Sequence, residues 1–538
     1  MTQKLFADKR LWALGVVLIG LVMPLRLALI QNTFIDEVTQ LLGITLSPPD
    51  LFAWLLGTME NPFEAAPDRQ PPLSYLVMQL FAALGFGETG LRFLGIGFSA
   101  AAAGFVFRAA DETYGTRPAL LVTFLMMTGA AMPASMTIIR PYPLFLLASA
   151  AAIYFAMRIF RGEERGRDCV WMIASCLAAT YAHFFGMVLF GALTVGLAAM
   201  LLLTRQKVTA TAVKLAVGWL LILPVLLFVL ASFGVSKTEG VAPGFFELIV
   251  GTIVQVVDLL VFVLIGGGTI MSLPAVVLCL LGLTGLGAAF LRSAFDLVRE
   301  NLRLSWPTDS VAAGTLGLAL AVISGMGAIV LAHMLTVTVS FNALAGTYNL
   351  WLVPAVFVLL GLGLTGVWAR VGLIGAGIMA AGRLLFILSF LADPTWLLNS
   401  PTSEVQRLLE DDPDALIAVG EEELGWTYYP FNLELPSSHR YFMIEGYEGE
   451  GSGRTYSHQE GYGPDATLPS ADRVLFVEPR RLGMAQLARA RRGAGIDCAR
   501  SFKEAEAWAA ENGYQVEAKA QHVGFLSACL TKTSKAGN

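Results

Sequence analysis

Charge is what this 538-residue chain has least of. Only 14% of its residues are Asp, Glu, Lys or Arg, against about 25% in soluble globular domains. Hydrophobic residues make up 56%, and the mean hydropathy is +0.65. That balance excludes an ordinary soluble protein and identifies a polytopic membrane protein without recourse to any motif. Cysteine is also scarce, with five in all. Cys169, Cys176 and Cys279 lie in apolar runs, where a free thiol acts as a small hydrophobe. Cys498 and Cys529 lie in a polar tail, where a disulfide and two unpaired thiols are equally open. The net charge of −5 is small for this length and gives no indication of a nucleic-acid partner. No cluster of His, Cys, Asp or Glu stands out as a metal site. No cofactor is assigned with certainty, and a divalent metal stays open, although the sequence gives it no support. The second half does not repeat the first, as the halves of many transporters do.

What is there changes character near residue 394. Residues 1–393 are apolar runs broken by short polar loops, and residues 394–538 have ordinary polar composition. A membrane helix needs about 20 apolar residues. Convincing spans are 11–30, 91–109, 117–136, 141–158, 169–185, 187–204, 212–233, 268–291, 311–336, 347–369 and 371–393. Lys4, Lys9 and Arg10 precede the first run like the head of a signal peptide. No small-residue cleavage site follows, so a retained span is expected. Stretches 71–86 and 244–265 are ambiguous. Short cytoplasmic loops are rich in Lys and Arg. If both ambiguous stretches lie along the interface, the basic loops 158–167, 205–214 and 292–303 share one side with the N-terminus. That gives about eleven spans, a cytoplasmic N-terminus and an extracytoplasmic tail. The tail reads as a small α/β domain. Its strands are expected at Ala415–Val419, Tyr441–Gly446 and Val474–Glu478, with a hairpin of Val516–Lys519 and Phe525–Thr531. A helix is expected over Phe502–Asn512, stopped at Gly513, and a Gly- and Ser-rich loop over Gly449–Thr467.

This topology gathers the polar residues that need explaining on the outer side. Asp36-Glu37 sits just beyond the first span, in an outer loop taken as 31–90. A carboxylate in a partly desolvated cleft has a raised pKa and can accept a proton during attack. The alternative is a solvated loop or a helix cap. Arg69-Gln70-Pro71-Pro72-Leu73-Ser74-Tyr75 comes next. Paired prolines preset a helix start, where Arg69 and backbone N–H groups suit a phosphate; an interfacial anchor is the bland reading. Arg140-Pro141-Tyr142 places an arginine fork, well shaped for phosphate, at the edge of an apolar bundle, where snorkelling is the commoner role. Tyr181-Ala182-His183-Phe184-Phe185-Gly186 carries the only histidine in the first half of the membrane region. His183 could bond a phosphate, shuttle a proton or bond a backbone carbonyl. Glu88 and Arg92, at i and i+4, read as a structural ion pair. Tyr348-Asn349 could touch a substrate or belong to an interfacial aromatic belt.

The ordered series resembles the GT-C class of membrane glycosyltransferases. Its nearest branch looks like the dolichyl-phosphate-mannose-protein mannosyltransferase and aminoarabinose-transferase superfamily. The resemblance rests on Asp36-Glu37, Pro71-Pro72-Leu73-x-Tyr75, Glu88 with Leu91-Arg92, Tyr114-Gly115, Arg140-x-Tyr142 and Tyr181-x-His183-Phe184-x-Gly186. It implies a polytopic α-helical fold and a sugar donor carried on a polyprenyl phosphate, with transfer at the outer membrane face. It further implies Asp36 as the base that activates the acceptor, with Glu37 positioning it. Attack would invert the anomeric carbon and release polyprenyl phosphate. Arg69, Arg140 and His183 would hold the donor phosphate, and Tyr75, Tyr142, Tyr181 and Tyr348 would line the substrate site. Two positions depart from the pattern. Gln70 stands where Lys or His often precedes the prolines, and Thr347-Tyr348 replaces a frequent Arg-Tyr pair. A glycolipid, an envelope polysaccharide or a protein would be the acceptor, and a bacterial inner membrane the location. Two other classes compete: a flippase or transporter of a lipid-linked sugar, and a membrane-anchored envelope assembly protein. Charges near span ends rather than span centres favour the enzyme.

Overall fold

The computed structural model describes residues 9–31, 35–59, 70–163, 166–204, 209–233, 245–266, 272–301, 307, 309–336 and 343–392, with shorter pieces, mostly strands, from 405 to 532. Contacts divide the chain into two units, one of Met1–Ala28 and Leu42–Phe390, the other of Leu29–Leu41 and Leu391–Asn538.

The first unit is helical. In chain order the helices of the protein are α1 (Lys9–Ile30), α2 (Ile35–Gly43), α3 (Pro48–Leu55), α4 (Leu73–Ala83), α5 (Glu88–Tyr114), α6 (Thr116–Met127), α7 (Ala131–Thr137), α8 (Tyr142–Phe160), α9 (Gly166–Ala182), α10 (Gly186–Thr204), α11 (Thr209–Phe233), α12 (Phe245–Leu264), α13 (Leu273–Asn301), α14 (Ser310–Thr336), α15 (Leu352–Leu360) and α16 (Ala369–Ala392). A 3-10 turn, Gly346–Asn349, precedes α15, and another, Gly361–Leu364, follows it. Among the described residues, nine helices are long and apolar enough to cross a membrane. They expose rows of Leu, Ile and Val, as at Leu220, Leu227 and Leu230 of α11. Such rows suit lipid as their solvent.

Two expectations need correction. The span expected at 117–136 is broken into α6 and α7 at Thr128-Gly129. A Cβ on Gly129 would come within 3.0 Å of Arg383 Nη1, so this turn is shaped by close approach. The span expected at 347–369 is likewise split into 3-10 turns around α15. There Gly361 packs on the Tyr114 ring and Gly363 on the backbone of Phe290, and neither contact has room for a Cβ. The stretch 244–265, expected to lie in the interface, forms α12, whose apolar part of 19 residues is long enough to span. By contrast α4, within 71–86, has 11 residues and is too short.

In the second unit, one seven-stranded sheet has the order β4-β3-β2-β1-β5-β7-β6. Its strands are β1 (Leu416–Gly420), β2 (Arg440–Ile444), β3 (Ser452–Ser457), β4 (Gly461–Thr467), β5 (Arg473–Pro479), β6 (Tyr514–Gln521) and β7 (Phe525–Lys532). Central β1 pairs in parallel with β2 and β5, which requires crossover connections. The expected closing hairpin is present as antiparallel β6 and β7. The expected loop 449–467 is instead the β3–β4 hairpin, with Tyr456 opposite Tyr462. Gly513, expected to stop a helix, has φ +79° and donates to Ala510 O at 3.3 Å. Most of Phe502–Asn512 and Cys498 lie outside the described residues.

Candidate functional site

The turn between α9 and α10 is the most constrained feature of the helical unit. His183 N–H donates to Ala179 O at 2.8 Å, and Gly186 N–H donates to His183 O at 2.8 Å. The turn is so tight that a Cβ on Gly186 would strike the backbone of Ala179 and Thr180. This is the physical content of the His183-Phe184-x-Gly186 spacing: glycine lets two helices meet end to end, and the histidine is folded inward.

His183 is completely buried. Phe145 and Phe184 stack on its ring, with centroids at 5.1 and 4.7 Å. Tyr142, Phe185 and Tyr348 surround it at 5.8, 5.8 and 5.5 Å. Nδ1 accepts the N–H of Phe185 at 3.3 Å. With Nδ1 as acceptor, the proton of the neutral ring sits on Nε2. That Nε2 is buried and has no hydrogen-bond partner among the described residues. Of the three roles open to His183 in the sequence, bonding a backbone carbonyl is therefore not the one observed. An aromatic box holds one N–H donor, and burying such a donor unpaired is costly.

Arg140 joins this group, lying near enough for its charge to act on His183. It is 6% exposed and lies in the short non-helical segment that links α7 to α8. Two contacts hold that segment. Arg92 Nη1 donates to Thr137 O at 3.1 Å, and Arg92 Nη2 donates to Glu88 Oε1 at 2.5 Å. The Glu88–Arg92 pair is thus structural, as the spacing suggests. Gly95 lets α5 approach Met136 O, where a Cβ would sit at 2.6 Å. Arg140, Ser74 and Met78 also line a small cavity of about 10 Å³, room for one water-sized atom.

Four expected site residues, Arg140, Tyr142, His183 and Tyr348, are therefore brought together from α8, the α9–α10 turn and the 3-10 turn before α15. The others are placed differently. Tyr75 is fully buried in an apolar cluster with Leu51, Trp54 and Leu55, edge-on to Trp54 at 6.2 Å. The cluster closes over its ring. Tyr181 donates its hydroxyl to Leu221 O at 2.8 Å and so ties α9 to α11. Asp36 stands in the first turn of α2, but its side chain lies outside the described residues, as does all of Arg69. Glu37 is fully buried.

Sequence reasoning missed two polar residues, Gln40 and Ser74, and took Gln70 only as a departure from the pattern. Gln40 is fully buried, and neither amide atom has a partner. It lies one helical turn after Asp36 and Glu37, a spacing that shares their face. Gln70 Oε1 and Ser74 Oγ are also buried without partners. Their i,i+4 spacing in the proline-led helix was the available signal. Among the described residues, no three His, Cys, Asp or Glu side chains converge as metal ligands would.

Beside the turn, an apolar groove of about 430 Å³ runs between α10, α11 and α14. It begins at Met187 and Val188, directly after Gly186, and its lining includes Gly191, Trp219, Leu223 and Gly325.

No family model matches this chain, and no curated protein matches it. Solved structures similar to it are of GT-C glycosyltransferases. One is ArnT from Cupriavidus metallidurans bound to undecaprenyl phosphate, at 12% identity and TM-score 0.47, over 98% of this chain and 99% of that one. The same protein in the apo state gives 13% identity and TM-score 0.36, over 96% and 97%. The Archaeoglobus fulgidus oligosaccharyltransferase tethered with an acceptor peptide gives 14% identity and TM-score 0.43, over 80% of this chain and 64% of that one.

Proposed function

We propose that this protein is an inverting membrane glycosyltransferase that moves a sugar from a polyprenyl-phosphate donor to an acceptor at the outer face of a bacterial inner membrane. The observation that carries the reading is the buried Nε2 of His183, unpartnered among the described residues and close to Arg140, in a turn that an apolar groove follows from Met187 onward. A donor of this class has an anionic phosphate, a polar sugar and a long hydrocarbon tail. The Arg140 and His183 donors suit the first, the hydroxyls of Tyr142 and Tyr348 the second, and the groove from Met187 the third. A flippase would need no such fixed donor set.

In this reading Asp36 takes the proton from the acceptor hydroxyl or amine, and Glu37 positions the acceptor. The acceptor atom bonds to the anomeric carbon from the face opposite the phosphate. The carbon–oxygen bond to phosphate breaks, and polyprenyl phosphate leaves with the electron pair. Arg140, Arg69 and His183 stabilise the charge that grows on that oxygen. The acceptor is a glycolipid, an envelope polysaccharide or a protein, and the tail domain is extracytoplasmic.

The test is transfer from a panel of synthetic polyprenyl-phosphate sugars in nanodiscs, comparing wild type with Asp36→Asn. Turnover of one donor, lost in the variant while donor binding persists, supports both the activity and the base. Turnover that survives removes Asp36 as base. A full panel of donors and acceptors that neither binds nor reacts sinks the reading.

A further inference from the structure

A second buried arginine, Arg383 of α16, takes no part in the reading above. It is completely buried, and an ionisable group within a membrane bundle calls for a specific reason. Its partners are backbone carbonyls. Nη1 donates to Ile265 O at 2.7 Å, and Nη2 donates to Leu264 O at 2.5 Å. These are the last carbonyls of α12, which have no partner within the helix and carry its partial negative charge. The fork therefore pins the C-terminal end of α12.

That end needs a pin. Most of α12 faces outward, with Phe246, Val250, Ile253, Val254 and Val257 exposed. Its buried apolar side chains are in the last turns, Leu259 and Val263, with Ile265 just beyond; earlier in the helix Thr252 is buried. Phe262, in the last turn of α12, lies flat against Gly346, where a Cβ would strike its ring. Gly346 opens the 3-10 turn that carries Tyr348, and Tyr348 is 5.5 Å from His183. The same Nη1 also lies against Gly129, where a Cβ would sit 3.0 Å from it, at the break between α6 and α7. From there α7 leads to Thr137 and Arg140.

We propose that Arg383 is a positioning residue for the candidate site. It clamps the end of α12 so that Phe262 fixes the Tyr348 turn, and it wedges the Gly129 turn that leads to Arg140. What the clamp serves rests on the glycosyltransferase reading; the clamp itself does not.

The test is hydrogen–deuterium exchange on the full-length protein in nanodiscs, which needs no activity. Arg383→Met keeps the length and removes the donors; Arg383→Lys keeps the charge and one donor. The Met variant is expected to speed exchange at Leu264–Gly266 and at Gly346–Asn349 by about tenfold or more, with the Lys variant intermediate and the peptides of α8 unchanged. Loosening of the α12 end without the Tyr348 turn overturns the relay. Equal loosening of α8 shows a bundle-wide structural role and overturns it too. Gly346→Ala pushes Phe262 away while leaving Arg383 intact, so it covers the case in which Arg383→Met does not fold. It is expected to loosen the same turn, and an unchanged turn counts against the proposal. Where a donor is turned over, Arg383→Met and Gly346→Ala are expected to lower kcat with less effect on KM, and to be non-additive together. An altered exchange pattern with no turnover of any donor rejects the enzyme reading and keeps the clamp.

Discussion

Helix α8 has two polar ends, and they are built on opposite principles. At its C-terminal end, charge is met by charge. Arg158 pairs with Asp168 at 3.2 Å and Glu112 at 3.7 Å. Arg161 pairs with Glu112 at 2.8 Å and Glu163 at 3.0 Å, and its Nη1 donates to Thr113 at 2.9 Å. Arg108 joins Glu112, and Lys9 joins Asp111. Four cations meet four carboxylates, and the result fastens α1, α5, α8 and the start of α9. At the N-terminal end, Tyr142 opens the helix beside Arg140 and an imidazole whose outer nitrogen has no partner among the described residues. Both ends contain buried arginine, so burial of charge alone does not mark a functional site. Arg161 Nε is left without a partner among the described residues too; what separates the ends is that the cations at one meet carboxylates, whereas the imidazole at the other sits in an aromatic box with its outer nitrogen unpaired.

The sharpest way to break this comparison is His183→Phe. Phenylalanine keeps the stacking with Phe145 and Phe184 and deletes the Nε2–H. Donor turnover is expected to fall by about 10²–10³, with only a modest drop in melting temperature, because Phe185 N–H also loses its Nδ1 acceptor. A large drop in melting temperature with full turnover in the remaining protein would make His183 another packing residue. Next in size is Glu112→Gln at the opposite end. It strips Arg158 and Arg161 of a shared carboxylate, and breaking a buried pair costs about 3–5 kcal/mol. Glu112 keeps a quarter of its side chain exposed, so a loss of about 2 kcal/mol is expected after screening. Here stability should fall while turnover per folded molecule stays constant, the reverse of the His183 result. Gly186→Ala tests the turn that separates the two behaviours. Its Cβ meets the backbone of Thr180, and a displaced His183 of about 1 Å is enough to cost ~10²-fold in turnover.

Legibility in the sequence followed the same division. The long apolar helices, the His183-Phe184-x-Gly186 turn, the Glu88–Arg92 pair and the β6–β7 hairpin all rest on local spacing, and each is present. The breaks at Gly129 and Gly361 are not local. They follow from an arginine and a tyrosine 254 and 247 residues away, Arg383 and Tyr114, which no window of sequence shows. The gathering of Tyr142, His183 and Tyr348 is likewise tertiary, although the resemblance had put all three in one site. Tyr75 is the opposite case. A tyrosine after paired prolines looks like an exposed anchor until Trp54 and Leu51 close over it. Gln40 and Ser74 were overlooked because uncharged polar residues at helical spacing give no sign of whether a partner awaits them.

The smallest expected effect concerns an ion pair at the site end. Glu88–Arg92 belongs by geometry with the charges at the far end of α8, yet it supports the segment that presents Arg140. Glu88 is 37% exposed at its side chain while Arg92 is 1% exposed, so the carboxylate is largely screened, and Arg92 retains its bond to Thr137 O. Glu88→Gln should therefore cost about 0.5 kcal/mol or less in stability. If Arg92 acts on Arg140 only by holding the Thr137 carbonyl, turnover changes less than about threefold, the rate equivalent of that energy. A much larger fall in turnover at unchanged stability would transfer Glu88 from the structural charges to the site, and the boundary drawn here between paired and unpaired polar groups would have to include it.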